Sequence, residues 1–257
     1  MADKVTLVIH AAANISLKAP LQQAIYNNCL PTLRLAELAV SRFTRLSTFA
    51  YVSSAYANCF LPDGKVEEKI YEVGNVEHQL AEILATGSLY PGSVPHWIWP
   101  YTCAKHMTER LLMSRHPTLP LLILRPTCIA PAISEPHPYY ARAGSCPLST
   151  YIREYMKAPD SGVIHVSPRH RPGSNIVDEI PVDLVANLLL LHLDRATNGI
   201  VHASSQSYVP RSIAQLHHTI ATHMPVLHPS YSATFRYETD VRTDEGLYNE
   251  FWGIMAL

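Results

Sequence analysis

Short apolar runs alternate along the chain with longer stretches in which apolar side chains recur at helical spacing. Val5-Thr6-Leu7-Val8-Ile9 is a β-branched run that reads as a buried strand. It empties into His10-Ala11-Ala12-Ala13, where small side chains leave the backbone open to approach. Pro20 opens a helix that runs past Tyr26 and Asn28 to about Val40, its apolar face supplied by Leu33, Leu35, Ala36, Leu38 and Ala39. The strand Thr48 to Val52 follows. Residues 58 to 95 hold acids, Gly64, Gly74, Gly87, Gly92 and three prolines, a surface excursion with a short helix near Val76 to Leu84. A helix from about Tyr101 to Arg115 comes next, then an apolar strand Leu119 to Leu124 ending in Arg125-Pro126. A later helix, Val182 to Leu193, is preceded by Asp178, Glu179 and Pro181. Strand, helix, strand, helix, strand predicts a parallel sheet covered on both faces, an α/β fold.

Composition narrows the function classes. At 257 residues, 47% hydrophobic and 16% charged, the chain can bury a sizeable core in one large domain, or one with a small lobe. A net charge of -1 and a pI near 6.9, with no long Lys/Arg run, give no electrostatic case for nucleic acid or an anionic membrane. Cys29, Cys59, Cys103, Cys128 and Cys146 are odd in number and never spaced as C-x-x-C, so reduced thiols are expected rather than a disulfide framework or a zinc site. The fourteen histidines, His217, His218 and His223 among them, form no metal-ligand pattern with nearby acids or cysteines. The longest apolar stretch, Val185 to Leu193, is interrupted by Asn187 and His192, and no signal peptide or membrane span is expected.

Candidate chemistry sits in Tyr101-Thr102-Cys103-Ala104-Lys105 and in Ser53-Ser54 at the end of Phe49-Ala50-Tyr51-Val52. On a helix the first pair shares one face a turn apart, where a fixed cation favours the phenolate and is expected to lower the Tyr pKa. None of the other five lysines has a tyrosine four residues before it. Such a tyrosine can give a proton to a carbonyl oxygen while hydride arrives at carbon, and a hydroxyl at a strand end can hold that same oxygen.

Ser, Tyr and Lys in this order resemble the working parts of a short-chain dehydrogenase/reductase. His10-Ala11-Ala12-Ala13, Asn28-Cys29-Leu30-Pro31-Thr32, Tyr51-Val52-Ser53-Ser54-Ala55-Tyr56-Ala57-Asn58, Glu67-Glu68-Lys69-Ile70-Tyr71, Tyr101 to Lys105 and Leu124-Arg125-Pro126-Thr127 fall in the order and approximate spacing of the fatty acyl-CoA reductases. These are the male-sterility branch of the extended short-chain dehydrogenases. The resemblance runs from about residue 5 to about 212, with Ile180-Pro181-Val182-Asp183 and His202-Ala203-Ser204-Ser205 extending it.

The resemblance implies NADPH as cofactor and a fatty acyl-CoA, or another acyl thioester, as substrate, reduced to aldehyde or alcohol. Tyr101 would be the general acid, Lys105 its electrostatic partner and ribose ligand, and Ser54 the oxyanion donor, with Ser53 as neighbour and fallback. His10, Ala11, Ala12 and Ala13 would line the nicotinamide-ribose side, and Pro126, Thr127 and Cys128 would pass beside the nicotinamide ring. Asn28 would support a proton relay or the active-site helix, unless it is simply a polar position facing solvent. Asp183 reads as a helix cap. Trp97, Trp99, Tyr139, Tyr140, Leu148 and Tyr151 are candidates for an acyl-chain pocket and equally good core residues.

The family's first strand normally ends in a glycine-rich turn that holds the cofactor pyrophosphate, whereas the first glycine here is Gly64. The fold expected is therefore an incomplete Rossmann-like, doubly wound parallel sheet lacking the first βαβαβ half, with a small C-terminal substrate lobe. Residues 1–135 would form the partial dinucleotide-binding core, and 136–257 the remaining sheet elements and lobe. Tyr248 to Met255 looks like the start of a further helix cut short. An unpartnered strand should leave one sheet edge unusually apolar. The alternatives are an inactive remnant serving as an interaction module and an extended-family reductase acting on a carrier-protein thioester. An intracellular, cytoplasmic setting is expected, with association to an organelle surface left open.

Overall fold

A strand buried on both faces needs an uninterrupted apolar run, and Thr48–Val52 (β2) supplies the centre of the sheet. The computed structural model describes residues 2–62, 64–90, 97, 99–142, 145–149, 163–165, 176–206, 209–223 and 234–236. In it β2 lies between Leu7–His10 (β1) and Leu121–Pro126 (β3), all parallel, and Gly199–Ala203 joins the far side of β3. The expected parallel neighbours are therefore present. Strands β1 and β3 each start two residues later than their apolar runs suggest, because pairing with β2 and not hydrophobicity sets their ends. Pairing aligns His10 with Tyr51 and Tyr51 with Ile123, a row of side chains across three adjacent strands.

That row faces helices. Leu21–Ala24 (α1), a π-helical segment Ile25–Cys29 and Leu30–Arg42 (α2) form one continuous rod. The widened turn has a local cause, since Pro31 has no N–H and its ring crowds the carbonyl four residues back, while Leu30 N–H reaches Ile25 O instead. Val76–Thr86 (α3) is capped by Asn75 Oδ1, which accepts His78 N–H at 2.9 Å, and ends on left-handed Gly87, φ 85°. Pro100–Arg115 (α4) packs on α1, α2, α3 and the π segment. Ile25, Leu33, Ala36, Phe49, Tyr51, Ile83, Met107, Leu111 and Ile123 fill the space between these helices and the sheet. On β1, which among the described residues pairs only with β2, Leu7 and Ile9 remain 41% and 46% exposed.

The chain divides into two compact units, Met1–Pro126 with Asn187–Ala203, and Thr127–Ala186 with Ser204–Leu257. The second holds two parallel strand pairs, Cys128–Ala130 with Glu179–Pro181 and Val163–His165 with Thr234–Arg236. Helix Val182–Asp194 follows Pro181 and passes from the second unit into the first. Helix Ile213–His223 belongs to the second. Tyr151 and the segment Tyr248 to Met255 lie outside the described residues.

Candidate active site

The first unit gathers Ser54, Tyr101, Lys105 and His10 at the C-terminal ends of its strands. Beyond Val52 the chain turns into a 3-10 helix, Ala55–Asn58, with Ser54 as its cap: Ser54 Oγ accepts the Tyr56 N–H at 3.2 Å. A hydroxyl oxygen that accepts in this way keeps its own proton available for another acceptor. Ser53 ties its N–H to Leu124 O at 2.7 Å, and its buried hydroxyl has no hydrogen-bond partner.

Two bonds tie α4 to the end of β2 and the turn after it, and a third ties Trp97, just ahead of the helix, to the same turn. Trp97 Nε1 donates to Ala57 O at 3.2 Å, Cys59 Sγ donates to Thr102 Oγ1 at 3.4 Å, and Lys105 Nζ donates to Val52 O at 2.8 Å. Tyr101 stands one turn before Lys105 on the same helix, with the ammonium 5.8 Å from its ring centroid. The same ammonium lies 4.8 Å from the Tyr51 centroid. Burial is what governs the ionisations: it pushes the Tyr101 phenol up to about 12 and Lys105 down to about 8. This corrects the expectation that Lys105 lowers the phenol. The lysine's charge is committed to the Val52 carbonyl and the Tyr51 ring, so desolvation of Tyr101 wins.

The loop after β1 is held from behind. Asn28, buried in the π segment, accepts the Asn14 N–H at 2.8 Å and donates to Asn14 O at 3.0 Å, so both edges of its amide clamp one backbone residue. It does not face solvent. Ala11, Ala12 and Ala13, which precede Asn14, are exposed. Thr32 Oγ1 donates to Asn28 O at 2.6 Å, which leaves its oxygen to accept from His10 Nε2 at 2.8 Å and assigns the Nε2–H tautomer. Burial, then the nearby Lys105 charge, lowers the His10 pKa.

Behind the site, α4 fixes the residue 67–79 excursion. His106 Nε2 donates to Tyr71 O at 2.9 Å, and Arg110 reaches Glu72, Gln79 and Gly74 O. Glu109 and Arg125 form a bidentate ion pair with both side chains fully buried, and Arg125 also donates to Lys69 O at 3.0 Å. Eleven consecutive α4 residues, Thr102 to Leu112, are buried, five of them polar or charged beyond Lys105. Reading apolar spacing misses this group; the only sequence signal was the density of ionisable residues on a helix expected to cover a sheet.

Pro126 ends β3 at the same strand edge as Ser54, two residues past Leu124, the partner of Val52. Thr127 and Cys128 open the second unit, where Thr127 Oγ1 donates to Asp178 Oδ1 at 3.1 Å and burial raises the Cys128 thiol pKa. Asp183 is the second residue of its helix, not the residue that caps it. Its carboxylate accepts the N–H groups of Ile133, Ser134 and Glu135, and these bonds hold its pKa down at about 2. Of the acyl-pocket candidates, Trp97 is committed to a cluster with Phe60 and His106, Leu148 is buried, and Tyr139 and Tyr140 are exposed. None of the five cysteines is in a disulfide, and no group of metal ligands occurs among the described residues. Among the same residues, no helix is long and apolar enough to cross a membrane.

Residues 1–189 match the NAD-binding family model described as male sterility protein. The chain is 29% identical to fatty acyl-CoA reductase 1 of Xenopus laevis over 195 residues, which cover 73% of this chain and 36% of that protein. It is 25% identical to fatty acyl-CoA reductase 2 of Homo sapiens over 193 residues, covering 72% and 35%. The chain thus spans less than half the length of these curated relatives. Among solved structures, UDP-glucuronic acid 4-epimerase from Bacillus cereus in complex with NAD superimposes with TM-score 0.56 at 17% identity, covering 92% of this chain and 64% of that one. RMD from Pseudomonas aeruginosa complexed with NADPH gives 0.51 at 18%, covering 100% and 80%. At these identities the two structures establish a shared Rossmann-type fold.

Proposed function

The chain belongs to the male-sterility family of fatty acyl-CoA reductases, within the extended short-chain dehydrogenase/reductase superfamily, and from that premise we propose that its site reduces the carbonyl of a fatty acyl thioester with NADPH. What supports this reading is that α4, which carries Tyr101 and Lys105, is tied to the end of β2 by Lys105 and to the turn after Ser54 by Thr102, with Trp97 just ahead of it bound to Ala57 O. Ser54 keeps a free hydroxyl proton for the substrate oxygen, because its own oxygen is already accepting from Tyr56 N–H. Tyr101 gives up its phenolic proton to the same oxygen. A phenol pushed up to about 12 holds that proton through the physiological range, as a general acid must. Lys105, held by Val52 O, lends positive charge beside the phenol as the proton leaves. The nicotinamide, when bound, supplies the hydride.

The residues fit the nicotinamide-ribose end of such a cofactor. Ala11, Ala12 and Ala13 present an exposed, small-residue backbone immobilised through Asn14 by Asn28, and Ser53 holds a buried hydroxyl with no partner. No glycine precedes Gly64, so the glycine-rich pyrophosphate turn is not among these residues. After hydride and proton addition, the thioester becomes a hemithioacetal that expels CoA thiol and leaves an aldehyde, open to a second reduction to the alcohol. The test joins this chain to the glycine-rich first half of a relative's reductase domain and supplies acyl-CoA with NADPH deuterated at the transferable position. Deuterium on the carbonyl carbon of the aldehyde or alcohol is expected. NADPH binding without any label in product would sink the reading.

A further inference from the structure

Lys105 is buried at the end of β2 and needs compensation for its charge, yet among the described residues no carboxylate forms an ion pair with it. Glu109, one turn further along α4, is already engaged bidentately by Arg125. What the ammonium does touch is the Val52 carbonyl at 2.8 Å and the face of Tyr51, with its Nζ 4.8 Å from the ring centroid. Tyr51 is itself 1% exposed, packed in the core and stacked on His10 with centroids 5.9 Å apart. Its buried hydroxyl lies beside that of Thr108 without a well-formed hydrogen bond, and the Thr108 hydroxyl donates to Ala104 O. The ring, not the phenolic group, is therefore what this side chain offers its surroundings. Aromatic faces carry negative potential, and they attract cations most strongly where water is excluded.

We propose that Tyr51 is a positioning residue: its ring face holds the Lys105 ammonium charged and aimed along α4 toward Tyr101, a role that rests on the reductase reading of Lys105. His10, in register with Tyr51 on β1, fixes the ring's orientation by stacking. The groups facing Lys105 are thus Tyr51 and Val52 from β2, His10 from β1, and Tyr101 and Glu109 from its own helix. Burial and then the Lys105 charge itself lower the His10 pKa, which disfavours a second cation beside the ammonium. A phenylalanine would serve as well as tyrosine, and an aliphatic side chain would not.

The test replaces Tyr51 in the full chain by phenylalanine and by its mono-, di- and trifluorinated analogues, which keep the shape of the ring while draining its face of negative potential. The Lys105 pKa is read by nitrogen NMR on lysine-labelled protein, with the signal assigned by Lys105→Met. Tyr51→Phe should titrate like wild type, near 8. The fluorinated series should fall stepwise, by a total on the order of one pKa unit, a tenfold loss of proton affinity. Tyr51→Leu, if it folds, should match or exceed the fall in the trifluorinated protein. A flat series in folded proteins, or a drop in Tyr51→Phe as large as in Tyr51→Leu, would overturn the proposal. A stepwise fall in a chain that shows no hydride transfer would keep Tyr51's hold on Lys105 and remove only the function assigned to that lysine.

Discussion

Replacing Lys105 with methionine should make the protein more stable at neutral pH while disabling its site. The lysine is 2% exposed, and burial holds its pKa at about 8 against 10.5 in an unfolded chain. Between those values the unfolded state binds more protons than the folded one, so stability rises with pH across that window. Below pH 8 the full penalty of the charged form is present; at about 1.36 kcal/mol per pKa unit it comes to about 3 kcal/mol. Methionine has nearly the same reach and no charge to desolvate. Part of the gain is offset by loss of the bond to Val52 O, worth about 1 kcal/mol. The pH dependence is free of that offset. Denaturant unfolding of both proteins at pH 7 and pH 10 should show wild type gaining about 2 to 3 kcal/mol relative to Lys105→Met, with effects common to both cancelling. Parallel behaviour of the two proteins between pH 7 and 10 would refute the claim that Lys105 is held against a desolvation penalty. Such a penalty retained at a site is the usual mark of function set against stability.

Acid should act through His106, fully buried and held neutral at about 3 by burial first and then by Arg110. The unfolded chain protonates near 6.5, so between pH 8 and pH 5 wild type should lose about 2 kcal/mol that His106→Gln does not, measured by the same denaturant curves. Glu109→Gln should cost about 3 to 5 kcal/mol by stranding the Arg125 guanidinium, whereas Glu109→Leu with Arg125→Met should cost far less, with thermal unfolding as the readout. Asp183→Asn should speed hydrogen exchange at Ile133, Ser134 and Glu135. In wild type, protection there relative to an unstructured amide should stay high above about pH 4 and fall as pH drops toward 2, because a carboxylate with a depressed pKa loses its contribution on protonation.

The fold was legible where one side-chain pattern decides one element. Apolar runs located β1, β2 and β3 and their order, and the wide stripe of α2 announced a helix covering the sheet. Strand ends were not legible, because Leu7 and Leu121 begin their strands where β2 offers partners. The π segment was readable in principle from Pro31 inside a helical pattern, but its consequence, Asn28 turned onto Asn14, depends on where the loop after β1 runs. Spacing singled out Tyr101 and Lys105 as candidates, and Ser54 was singled out by its place after an apolar strand. The roles of Tyr51, Glu109 and Arg110 were hidden because contacts 16 to 54 residues apart in sequence create them. The electrostatic reading of the Tyr-Lys pair also failed at this level. Proximity is visible in a sequence, whereas burial, which raises Tyr101 and lowers Lys105, is not.

The central claim is that Tyr101 gives the proton at a thioester-reducing site. It is tested most directly by steady-state kinetics and NADPH titration of Tyr101→Phe beside wild type, both in the chain completed with a relative's glycine-rich first half. Loss of the donor hydroxyl should lower kcat on the order of a hundredfold or more and leave NADPH affinity nearly unchanged, since the ring and Lys105 remain in place. Full acyl-CoA reduction by Tyr101→Phe would contradict the account.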